Sequence, residues 1–179
     1  MKKKILWITQ TAVMLAMLIV LQWLTKPLGQ FVTGSCVNAV LAITVLLCGM
    51  GSGITVALLS PVFAYILGIA PQILTVPVIM IGNAAFAAVL RFAGGKGISR
   101  SVTALLGAAL CKFALLYVLV QYGICGILAD ALMDKGLLKT PMLTALPVTF
   151  GAPQLVTALI GGAVALLILP VLKKALHKN

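Results

Sequence analysis

Between Lys26 and Arg91 the chain runs for 64 residues (27 to 90) without one charge or histidine. A soluble domain carries about 25% charged residues to keep its surface wetted, so a run of this length has no place on one. Several bilayer crossings at roughly 20 apolar residues each accommodate it. The rest of the chain agrees: 63% of 179 residues are apolar, 8% are charged and mean hydropathy is +1.23. A soluble enzyme, a disordered chain and a nucleic-acid binder are excluded. About 113 apolar residues supply five or six crossings at ~20 each. The expected fold is therefore a single all-α integral membrane domain over residues 1–179, with six transmembrane helices.

Turn residues divide the chain. The first helix covers about 5–25, with no small-x-small cleavage site to make it a removable signal. Gly34, Gly49-Met50-Gly51-Ser52-Gly53 and Gly68-Ile69-Ala70-Pro71 then bound helices at about 34–49, 53–68 and 71–91. Pro71 suits a first helical turn, where a missing N–H costs nothing. Pro61 and Pro77 fall inside the third and fourth helices, a position membrane helices tolerate when neighbours satisfy the freed carbonyl. The fifth helix spans about 100–122 and the sixth about 153–172. Residues 126–152, with Pro141, Pro147 and the only acids, Asp130 and Asp134, predict a long loop carrying at most a short surface helix.

The net charge of +11 follows from placement. Lys2, Lys3, Lys4, Arg91, Lys96, Arg100, Lys173, Lys174 and Lys178 fall on the face carrying both termini, and Lys26, Lys135 and Lys139 on the other. Nine against three is a positive-inside bias that puts both termini in the cytoplasm. Cys36, Cys48, Cys111 and Cys125 lack zinc spacing and read as small hydrophobes. Cys36 and Cys125 are both expected near the outer surface, so their pairing stays open.

Lys112 belongs to neither loop set. Twelve residues beyond Arg100, at ~1.5 Å rise each, it lies about 18 Å into a core of roughly 30 Å. An intramembrane lysine costs at least ~2.5–3.5 kcal/mol. Either it points into a polar cavity as the partner of an anionic group, or it turns to the inner interface and caps a helix carbonyl. Asn83, twelve residues after Pro71, reaches a similar depth, as half of a binding site or as an interhelical hydrogen bond. Gln72 and Gln154 each follow a proline at an outer helix start, where an amide can meet an arriving solute or cap its own helix. Asn38, near the outer end of the second helix, carries the same two readings.

Absences narrow the function. There is no phosphate-binding G-x-x-x-x-G-K-[S/T] loop; Gly94-Gly95-Lys96-Gly97 reads as a turn. No Asp, Glu or His lies within a span to relay protons. No nucleophile–base pair suggests an enzyme, and neither a metal nor a cofactor is expected. The chain is built to bind or conduct a small solute, without an energy source of its own.

Six helices with both termini inside, Ala12-x-x-x-Ala16 on the first helix and Gly34-Ser35-Cys36-Val37-Asn38 entering the second resemble the substrate-binding (S) component of energy-coupling factor transporters. Ser60-Pro61 with Gly68, Gly82-Asn83, and Pro153-Gln154 running to Gly161-Gly162 extend the resemblance along the whole chain. The resemblance implies a bacterial plasma-membrane protein that captures a vitamin or related micronutrient from outside. It implies docking through Ala12 and Ala16 onto a transmembrane coupling protein that carries two ATPase subunits. It also implies an outward pocket covered by the segment after the first helix, about 26–33. Lys112, Asn83, Gln72, Gln154 and Asn38 are the expected substrate-binding residues. A stand-alone facilitator needing no ATPase, or a scaffold subunit without a ligand, are the rival expectations.

Overall fold

The computed structural model describes residues 2–69, 72–95 and 97–176. Among these the regular structure is helical, with no strands. The helices are α1 (Lys2–Thr25), α2 (Gln30–Ile43), α3 (Met50–Ile66), α4 (Thr75–Ala93), α5 (Ile98–Val118), α6 (Ala129–Asp134), α7 (Thr140–Thr149) and α8 (Ala152–Ala175). A 3₁₀ turn, Lys26–Leu28, follows α1, and α2 and α5 continue in the wider π form over Thr44–Cys48 and Leu119–Ile127.

Five stretches are long and apolar enough to cross a bilayer: Lys3–Leu28, Gln30–Cys48, Thr75–Ala93, Ile98–Ile127 and Thr140–Ala175. They fit a multi-pass membrane protein. The sixth expected crossing, α3, has 17 residues and at 1.5 Å per residue reaches about 25 Å, short of a ~30 Å core.

Close contacts fix the direction of the helices. Thr33 Oγ1 donates to the Thr25 carbonyl at 2.9 Å, so α2 starts where α1 ends. Gly49, at φ +96, turns α2 into α3 within one residue, and an L side chain there would be strained. At that same end Thr11 Oγ1 of α1 donates to Ser52 Oγ of α3 at 2.8 Å, a buried bond between the two helices. At the opposite end Lys26 Nζ donates to the Gly68 carbonyl at 2.6 Å.

The central core joins Leu18, Leu41, Val45, Val56, Phe86, Leu90, Ala108 and Ala158 from α1 to α5 and α8. α2 packs backbone to backbone on α8. A Cβ built on Gly161 would meet the Ser35 carbonyl oxygen, and would lie 2.8 Å from both the Ala39 nitrogen and Asn38 Cβ. The bare glycine is what lets the two backbones approach.

Three boundaries differ from expectation. The second helix begins at Gln30 rather than 34, so half of the segment 26–33 belongs to α2. The fourth helix begins at Thr75 rather than 71, with Pro71 outside the described residues. Had it begun earlier, the Pro77 ring would strike the carbonyl four residues back, at Ile73. Starting at Thr75 puts Pro77 in the first turn, and Thr75 Oγ1 closes the entry by donating to the Gln72 carbonyl at 2.8 Å. Residues 126–152 are not a loop with one surface helix. The π segment runs to Ile127, two short helices follow, and Leu138, Leu146 and Phe150 pack in a second core with Val78, Leu116, Val120 and Ile124. Cys36 and Cys125 form no disulfide with each other.

Candidate functional site

A cavity of about 400 Å³ opens among α1 to α5, α7 and the start of α8, in the half of the bundle where Lys26 meets Gly68. All five residues expected to bind substrate line it: Lys112, Asn83, Asn38, Gln72 and Gln154. They come from α5, α4, α2, the turn before α4 and the first turn of α8.

At its deep end Lys112, only 2% exposed, donates from Nζ to Asn38 Oδ1 and to Asn83 Oδ1, each at 2.7 Å. The Phe86 ring lies 5.7 Å from the same nitrogen, within cation–π range. Lys112 lines the cavity, and its amino group caps no helix carbonyl among the described residues. The Asn83–Lys112 bond joins α4 to α5, so Asn83 makes the expected interhelical hydrogen bond while also lining the cavity. Asn38 Nδ2 is satisfied by the Gly34 carbonyl at 2.9 Å and by Thr157 Oγ1 at 3.4 Å. Thr157 Oγ1 in turn donates to the Gln154 carbonyl at 3.2 Å.

Asn83 Nδ2 is buried without an acceptor among the described residues. The same holds, with donors missing, for Gln72 Oε1 and for Gln22 Oε1. A buried polar atom left unpaired costs about 1–3 kcal/mol, and all three of these atoms belong to residues that line the cavity. Gln72 and Gln154 do not cap their own helix starts through their side chains. Gln154 Nε2 instead donates at 3.4 Å to the Thr149 carbonyl, bridging α7 to α8.

Among the described residues no carboxylate lines the cavity. The only acids in the chain, Asp130 and Asp134, are exposed on α6. Among the described residues no cluster of His, Cys, Asp or Glu could hold a metal.

Sequence reasoning missed Gln22, Gln30, Thr33, Thr75 and Thr149, which also line the cavity. Their one signal is position, within about two turns of a helix end on the cavity side. Gln121 shares that placement without lining the cavity, so the signal alone does not select. Ala12 and Ala16 lie away from the cavity, exposed on the outward face of α1, while Met14 and Leu18 face the core. Comparison of the chain with protein-family models, with curated proteins and with solved structures finds no match.

Proposed function

We propose that this chain is the substrate-capture subunit of an energy-coupling factor importer, taking a small anionic micronutrient from outside a bacterial plasma membrane. The observation that carries the anion is Lys112, an amino group buried between two neutral amide oxygens, in a cavity lined by no carboxylate. An uncompensated ammonium in an apolar bundle is costly. A ligand carboxylate or comparable anion would supply the missing charge through a charge-assisted hydrogen bond. The coupling module rests on the resemblance in the sequence, supported by the exposed small residues Ala12 and Ala16 on α1. With no phosphate-binding loop in the sequence, the driving force would come from a coupling protein and its two ATPase subunits.

Two measurements test this. Lys112→Met should weaken binding of the co-purifying ligand about 10- to 100-fold, the loss of one hydrogen bond to a charged group. Unchanged affinity would remove the anion. Uptake into vesicles carrying the chain with its coupling module should stop without ATP. Uptake by the chain alone would favour the facilitator instead.

A further inference from the structure

We infer that the ligand of this cavity is bifunctional: an anionic group at the Lys112 end, and a neutral N–H or O–H donor at the end formed by Gln22 and Gln72. The inference rests on the anion reading above and adds the second pole.

The two poles follow from hydrogen-bond bookkeeping at each end of the cavity. Because Lys112 Nζ donates to both Asn38 Oδ1 and Asn83 Oδ1, the orientation of both amides is set, oxygens toward the nitrogen. Asn83 Nδ2 therefore faces elsewhere, and it is the buried donor without an acceptor. An ammonium has three hydrogens, and two are used. The deep end thus offers only donors, which a group that only accepts, such as a carboxylate, satisfies. The opposite end offers neutral amides instead. Gln22, nine-tenths buried near the end of α1, and Gln72, before α4, each bury a side-chain oxygen with no donor near it among the described residues. These oxygens call for a donor on the ligand. Since no carboxylate lines the cavity, a donor bearing full positive charge would be left uncompensated. A neutral amide, urea or hydroxyl matches, and a zwitterion does not.

Size limits the molecule. About 400 Å³ at ~30 Å³ per water holds roughly 13 waters, room for on the order of a dozen non-hydrogen atoms. Asn83 lies eight residues into α4 from Thr75, about 12 Å along the axis. Side chains reach inward from both ends, so the ligand spans less than that.

The test uses the full chain purified in detergent and four probes of similar length: adipic acid monoamide, hexanoate, 6-aminohexanoate, and the methyl ester of the monoamide. Affinities are read by calorimetric titration. The monoamide should bind about tenfold more tightly than hexanoate or 6-aminohexanoate, the effect of satisfying a buried acceptor. The Gln22→Leu, Gln72→Leu double variant should abolish the difference, giving monoamide and hexanoate equal affinities. Gln22→Met alone should give part of the same loss in a milder background. Equal affinities for monoamide and hexanoate, or a monoamide advantage that survives the double variant, would overturn the second pole and leave the anion standing. An ester that binds as well as the monoamide would instead remove the anion itself. Absence of saturable binding by every probe would refute both.

Discussion

Gly161→Ala is the smallest change that should open the bundle beside the cavity. The added methyl would sit 2.8 Å from the Ala39 nitrogen and 2.8 Å from Asn38 Cβ, and closer still to the Ser35 carbonyl oxygen. Ordinary contact needs about 3.4 Å, so α2 and α8 must part by roughly 0.6 Å or more. Two of the three obstacles are backbone atoms, which cannot swing aside as the end of a side chain can. Overpacking of this kind costs ~1–3 kcal/mol, and at ~2–4 °C per kcal/mol for a chain of this size the melting temperature should fall by about 2–12 °C. Asn38 moves with α2 and carries one of the two oxygens that hold Lys112, so ligand affinity should fall alongside stability. Differential scanning fluorimetry in detergent measures the first effect and titration the second. Gly123→Ala is the control, since a Cβ there meets nothing within 4 Å and should lower neither quantity. A Gly161→Ala protein that melts with the parent would refute the claim that backbone contact sets the α2–α8 distance.

Further outcomes follow from other contacts. Ala12→Trp and Ala16→Trp, on the exposed face of α1, should abolish coupled uptake while changing stability by no more than ~0.5 kcal/mol and leaving ligand binding intact. Unchanged uptake in both would remove that face as the docking surface. Thr11→Val and Ser52→Ala break the buried bond between α1 and α3. A double-mutant cycle on chemical unfolding in micelles should return a coupling of about 0.6–1.7 kcal/mol, and zero coupling would mean that the two hydroxyls contribute independently.

The deep end of the cavity was legible because depth in a membrane helix can be counted. Lys112 and Asn83 were placed at one level by residues of rise alone, and their atoms lie 2.7 Å apart. That count survived an error, since α4 starts at Thr75 rather than 71. Lys112 also stood out energetically, being the basic residue that no loop could claim. The far wall was less legible. Pro141 and Pro147 read as breaks, but Pro141 sits in the first turn of α7, where its missing N–H is harmless. What holds α7 against the bundle is the clustering of Leu138, Leu146 and Phe150 with Val78, Leu116, Val120 and Ile124, a tertiary contact without a local signature. Gln22 and Gln30 were passed over for a related reason. An amide near a helix end can serve water, a cap or a cavity, and only the neighbouring helices decide which.

The lysine cradle also has an order in time. Chains are made from the N-terminus, and the two asparagines belong to α2 and α4 whereas the lysine belongs to α5. Both acceptors are therefore synthesised before the amino group that needs them. A lysine leaving the insertion machinery last can bond at once to partners already in the bilayer. A rearranged gene encoding α5 first would strand the same residue in hydrocarbon until its neighbours arrived.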